Sequence, residues 1–349
     1  MKRRVPSSLL PTLLAFVLNA CGGSGVGPTP LPSPQVATHP VTFIAFLDEN
    51  ENRVFEPNEG TRIPGVELVA GSARGTTAVL TGQATLQVTE GAQSLTVTAA
   101  SLPPFYRPPA AAISITSPSG AQVMVPITLP HGSNRLNVYM AFGDSITNGE
   151  PEVGDGNGYR RKLEAMLRSH FGNGEVANEG RDATESNFGE EIIATRLRAV
   201  QPSFVLIHYG TNDWNFCRTV SGCFTSGSLR EIVRATNRAG AHAFLATILP
   251  TNTDFDGRAP ASRNEYVAEQ NVVIKQIADQ EGGGARRPQR RVLEVGSRSA
   301  DPLRGPCPPN VGGLRHHGPD VVQLNHQGLL ENIVRLLGGG PQWLYGPPA

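Results

Sequence analysis

The sequence predicts two folded regions of different class. A small antiparallel β-sandwich should occupy residues 41–130. A parallel sheet with helices on both faces should follow over residues 136–340. Three observations predict this. Short alternating apolar runs recur between turn residues in the first region, with almost no helical period. Apolar strand-like runs alternate with amphipathic segments in the second. The first forty residues have the composition of neither and read as a leader and a tether.

The leader opens with the charged "MKRR" and continues as the apolar run "LLPTLLAFVL". That run is too short to span a bilayer and suits the core of a signal peptide. It ends in "LNAC", Leu18 to Cys21, which resembles the lipobox of bacterial lipoproteins, with Asn19 an unusual occupant. The resemblance implies a signal peptide over residues 1–20 and lipidation of Cys21. The chain would then be exported and anchored through that lipid to the membrane of the cell envelope. Residues 21–40, rich in Gly, Pro and Ser, form the expected tether. An oxidising compartment would let Cys217 and Cys223, which flank "RTVSG", close a small disulfide loop. Cys307 is left over as an alternative partner for either.

In the β-region the strand candidates are "VTFIAFLD", "VELVAG", "TAVLTG", "ATLQVTE" and "SLTVTAAS". The stretch "FLDENENRVFEPNEGTRIPGVELVAG" resembles the start of the Cna-B and SD-repeat B-like modules of bacterial surface proteins. Within it Asp48, Asn50, Asn52, Glu56 and Glu59 stand at loop positions 1, 3, 5, 9 and 12, with the Val54 carbonyl at 7. That is the spacing of oxygen ligands in a calcium loop, although the sharp-turn glycine is replaced by Arg53. The alternatives are a structural calcium ion and a solvated polar hairpin.

The segment "LPHGSNR" reads as a linker. Strand candidates beyond it are "NVYMAFG", "EVAN", "SFVLIHYG", "HAFLATILP" and "RVLEVG". Helical spacing places Leu163, Met166, Leu167 and Phe171 on one face, and likewise Ile193, Leu197 and Val200. It does the same for Val267, Ile274, Ile277 and Ala278, and for Leu330, Ile333, Val334 and Leu337 in a final helix. In such sheets chemistry collects at the carboxyl ends of the strands.

The residues at those ends are distinctive. The first strand ends in "GDSIT", the second in "NEGRD", the third in "YGTND", and "PDVVQLN" precedes the last helix. Each alone is a good turn sequence. All four in this order resemble the SGNH (GDSL-like) hydrolase superfamily over about Leu136 to Leu337. The resemblance implies a three-layer, flavodoxin-like fold and a serine esterase activity. Ser145 would be the nucleophile. The Ser145 and Gly180 backbone N–H groups and the Asn212 amide would form the oxyanion hole. Asp320 would orient the base. Chemistry asks for the same parts: a serine hydroxyl needs a neighbouring base, and a developing oxyanion needs preorganised donors.

One position departs from the family. The histidine slot, three residues after Asp320 and five before Gly328, holds Gln323. Glutamine accepts no proton near neutral pH. His326 is the nearest substitute for the base, and His316 and His317 also lie close in sequence. His208, before "YGTND", reads as a buried packing residue.

Two functions therefore stand side by side. One is an exported lipoprotein esterase acting on acyl or acetyl esters of small molecules or glycans. The other is a non-catalytic member that binds an ester or glycan, with a purely adhesive chain as a third. No organic cofactor is implied, since no Gly-rich dinucleotide motif is present and the serine mechanism needs no metal. With 30 basic and 30 acidic residues the net charge is zero, so nothing global points to nucleic acid. The one basic run, Ala285–Arg291, reads as a solvated loop.

Overall fold

The structure is a computed structural model, and it describes residues 36–149, 158–250, 261–281 and 292–293. The β-region has seven strands: β1 (Thr38–Leu47), β2 (Glu67–Ala70), β3 (Ala73–Thr76), β4 (Gln83–Thr89), β5 (Gly91–Val97), β6 (Ile113–Ser117) and β7 (Val123–Ile127). They form two sheets, ordered β4-β1-β7 and β3-β2-β5-β6. Strict alternation makes this possible: Ala84, Leu86 and Val88 of β4 are buried while Thr85 and Gln87 are exposed. All pairs are antiparallel except β1 with β7, which run parallel. A long connection permits that pairing. It also leaves β7 heading straight into the second region.

One strand expectation fails. "TAVLTG" is a turn, not a strand: the Gly82 N–H bonds to the Ala78 carbonyl, and Leu80 has φ 63°. The Leu80 N–H is recruited instead by the carbonyl of His170. The strand lies just before it, at Ala73–Thr76. Strands β6 and β7 were not among the expected runs.

The second region contains β8 (Arg135–Gly143), α1 (Ser145–Asn148), α2 (Gly158–Phe171), β9 (Glu175–Gly180), α3 (Ser186–Val200), β10 (Pro202–His208), α4 (Trp214–Cys217), α5 (Thr225–Arg238), β11 (His242–Ala246), α6 (Ala261–Glu281) and β12 (Val292–Leu293). The five strands form one parallel sheet in the order β12-β11-β10-β8-β9. This is the flavodoxin-like winding that the sequence predicts, with a topological switch between β8 and β10. Helix α5 was not expected, although Leu229, Ile232, Val233 and Thr236 are buried at helical spacing along it.

The two faces of this sheet are covered differently. Met140, Phe142, Val205, Ile207, Ala243 and Leu245 pack with residues of α3, α5 and α6. The alternate residues Tyr139, Ala141, Phe204, Leu206, Phe244 and Ala246 share a core with α2 and with the β-region. Phe105 is the contact point: its ring stacks on His242 at 4.2 Å and meets Phe244 edge-on at 5.7 Å. The supposed linker is tied down as well. Asn134 Nδ2 donates to the Ala239 carbonyl at 2.8 Å, and His242 Nε2 lies 2.7 Å from the Pro130 carbonyl.

Candidate active site

The site is assembled by strand ends. Register places Gly143 of β8 level with Gly180 of β9 on one side and His208 of β10 on the other. Ser145 follows Gly143 by two residues, and Asn212 follows His208 by four. The three residues implied for attack and oxyanion binding therefore meet at the switch point of the sheet, where α/β folds bind ligands.

Each turn has a local cause. A Cβ on Gly143 would stand 2.2 Å from Thr147 Oγ1 and 2.4 Å from the His208 carbonyl, so only glycine fits where β8 ends. Asp144 then caps the next turn, its Oδ1 accepting the Ile146 N–H at 2.9 Å. Ser145 begins α1, which Gly149 closes with φ 72°. Ser145 is half-buried, and its hydroxyl bonds to no side chain among the described residues. Asp144 is buried, and its Oδ2 has no partner among those residues. Burial raises its carboxyl to about 7; the Ile146 N–H opposes this, and the Asp213 and Asp182 charges reinforce it.

At Gly180 the missing Cβ makes room for protein backbone, since a Cβ there would lie 2.2 Å from Asn148 N and 2.6 Å from its Cα. Its N–H is already donated, to Asn178 Oδ1 at 3.0 Å. Asn178 also donates to Asn148 Oδ1 at 2.8 Å, and Asn148 to Asp182 Oδ1 at 2.8 Å. An oxyanion would have to replace the exposed Asn178 amide. Asn212 spends one amide hydrogen on the Thr184 carbonyl at 2.9 Å and keeps one.

Asp213 is a residue to which the sequence reading gave no role. Its buried carboxylate accepts from Ser186 N at 2.9 Å, from Ser186 Oγ at 2.5 Å and from the Thr225 hydroxyl. It thus ties the starts of α3 and α5 to the turn that presents Asn212. The signal available was its place in "GTND" between two Ser/Thr helix starts, Ser186 upstream and Thr225 downstream. His208 is buried, as a packing residue should be. Cys217 and Cys223 are joined in a disulfide with Cα atoms 5.2 Å apart. Cys21, Cys307, His316, His317, Asp320, Gln323 and His326 lie outside the described residues.

At the calcium-like loop, Asp48 and Glu59 are buried. Asp48 accepts from the Asn52 and Arg53 N–H groups, and Glu59 from those of Glu49 and Glu56. Asn50 Oδ1 accepts from Asn52 N, Asn52 Oδ1 from Val54 N, and the Glu56 carboxylate faces both asparagine amides. The donor types suit a hard cation. Among the described residues, however, no three acidic, histidine or cysteine side chains converge as a ligand group.

Fold and strand ends together define an α/β domain with a serine at the switch point of its parallel sheet. Residues 141–293 match the GDSL-like lipase/acylhydrolase family. Over that stretch the chain is similar to the serine ester hydrolases of that family. No curated protein matches the chain. Among solved structures it is similar to a lipolytic protein of the G-D-S-L family from Desulfitobacterium hafniense, with 18% identity over 58% of this chain and 99% of that one, at a TM-score of 0.41. It is also similar to a catalytic mutant of an acetylxylan esterase from Geobacillus stearothermophilus, with 18% identity, 61% and 99% coverage and a TM-score of 0.41. A GDSL-like lipase from Bacteroides thetaiotaomicron aligns at 14% identity over 46% and 68%, with a TM-score of 0.34.

Proposed function

We propose that the protein is an exported lipoprotein esterase that removes acyl or acetyl groups from small-molecule or glycan esters. The observation that carries this is the meeting of Ser145, Gly180 and Asn212 at adjoining strand ends. Ser145 Oγ would attack the ester carbonyl, the ester C–O bond would break to release the alcohol with a proton, and water would then hydrolyse the acyl-enzyme. The Ser145 and Gly180 N–H groups and the free Asn212 hydrogen would hold the oxyanion, with the Asn178 amide displaced. Donors of this kind are worth about 3 kcal/mol each in the transition state. The proton of Ser145 would pass to His326, held by Asp320, because Gln323 cannot take it. Export and anchoring would follow from the leader and Cys21.

A second reading is favoured by two observations: Gln323 in the base slot, and a Gly180 N–H already satisfied by Asn178. On that reading the domain binds an ester or glycan without cleaving it. Hydrolysis of p-nitrophenyl acetate by the soluble chain, beside Ser145→Ala, His326→Ala and Gln323→His, separates the two. The esterase reading expects wild-type turnover that Ser145→Ala abolishes and His326→Ala lowers by more than about a thousandfold. Inert wild type with activity gained in Gln323→His would establish the binder instead.

For the β-region we propose structural calcium at Asp48, Asn50, Asn52, Val54, Glu56 and Glu59. Its support is the ligand spacing and the burial of Asp48 and Glu59. A melting temperature unmoved by calcium chloride, relative to chelator, would remove this proposal.

A further inference from the structure

The turn that bears Ser145 is only four residues long. Such a turn has little internal ladder, and its last carbonyls need partners from elsewhere. They find them on α2. Arg160 Nε donates to the Thr147 carbonyl at 2.9 Å, and Arg160 Nη2 to the Asn148 carbonyl at 2.8 Å. The adjoining Tyr159 is buried, and its hydroxyl donates to Thr147 Oγ1 at 3.4 Å. A guanidinium suits this task, because its planar fork reaches two acceptors at once and carries a charge that strengthens both bonds.

The same backbone has a second duty. Asn148 N and Cα are the atoms on which Gly180 rests, at 2.2 and 2.6 Å from where its Cβ would be. Moving Thr147 and Asn148 would therefore shift the nucleophile at one end of the turn and the oxyanion donor beside the other. We infer that Arg160 is a positioning residue for the reaction: by bridging the Thr147 and Asn148 carbonyls it fixes Ser145 and Gly180 in one geometry. The inference rests on the esterase reading. Its test separates the two, because it reads the nucleophilicity of Ser145 without any choice of natural ester.

The probe is a fluorophosphonate. Ser145 Oγ forms a bond to phosphorus, fluoride leaves, and the hydroxyl proton passes to solvent. Labelling rates are measured for wild type, Ser145→Ala, Arg160→Ala and Arg160→Lys, below the melting transition of each. Labelling of Arg160→Ala should fall about a hundredfold, the usual cost of a nucleophile displaced by about an ångström. Arg160→Lys, which keeps the charge but not the fork, should recover only part of it. Added guanidinium ion should restore Arg160→Ala selectively. A groove of about 460 Å³, lined by Arg160, Arg161, Glu164, Ala165, Arg168 and Val176, gives the ion access. In p-nitrophenyl acetate turnover the loss should lie in kcat with KM unchanged. Labelling of Arg160→Ala at the wild-type rate, with Ser145→Ala blank, overturns the inference alone. Recovery in Arg160→Lys equal to wild type also overturns it, since charge alone would then suffice. An unlabelled wild type overturns the esterase reading, and this inference with it.

Discussion

The two faces of the parallel sheet are lined by the same strands and built on different principles. On the helical face, Met140, Val205, Ile207 and Leu245 meet the aliphatic side chains of α3, α5 and α6. Helices present narrow ridges of branched side chains, and branched side chains fill the grooves between them. The other face, which α2 also covers, adds an aromatic cluster to Ala141, Leu206 and Ala246. Tyr139 stacks on Phe204 at 4.8 Å, Phe204 lies 5.9 Å from Phe244, and Phe105 from the β-region closes the group. Flat rings suit a cover made of a loop tip rather than a helix, because they pack without needing a repeating groove. Phe105 holds φ 74°, an uncommon conformation for a bulky residue, which the surrounding contacts sustain. The difference teaches that the β-region is a wall of the hydrolase core and not a separate bead on a tether.

The largest effect should come from removing that wall. A chain starting at residue 133 would expose Tyr139, Phe204 and Phe244 to water. It should aggregate and lose its cooperative melt, read by size-exclusion chromatography and circular dichroism. A soluble, cooperatively melting fragment would show that the aromatic face is covered some other way. Single substitutions should rank the faces. Phe204→Ala should cost about 3–5 kcal/mol, whereas Ile207→Val on the opposite face should cost about 0.5–1.5 kcal/mol. Denaturant melts of both variants measure this. Equal losses would mean that the two faces bear similar packing loads.

The two faces also differ in how far the sequence displays them. The helical face announces itself, because Ile193, Leu197, Ile274 and Ile277 repeat at the helical period whatever they pack against. The module face does not. "PPFYR" has no period, and nothing local to Phe105 says that it will meet His242, which is 137 positions away. Pairing of β1 with β7 is hidden for the same reason. The site divides along a similar line. The candidates Ser145, Gly180 and Asn212 stood out because the strand-end turns that carry them resemble those of a known family. The Asn178 amide on Gly180 N–H and the Asp213 carboxylate on Ser186 and Thr225 did not, since both join segments distant in sequence.

The smallest expected effect lies at the strand end where the two faces meet. Asp144 is close to Tyr159 on the module side and Tyr209 on the helical side; burial raises the pKa of both phenols, and the Asp144 charge adds to it. Burial holds its own carboxyl at about 7, above an ordinary value of 3.8. Between those values the native state carries a proton that the unfolded chain has lost. The stability from this group is therefore fully present below about pH 4 and declines as pH rises through about 7. Asp144→Asn stays neutral throughout and keeps an oxygen for the Ile146 N–H. Its melting temperature should gain on wild type as pH rises from 4 to 8, with little difference at the acid end. A constant offset across that range would mean that Asp144 is ionised in the native state at every pH tested. Its carboxylate would then have found a partner that the Asp144 Oδ2 lacks among the described residues.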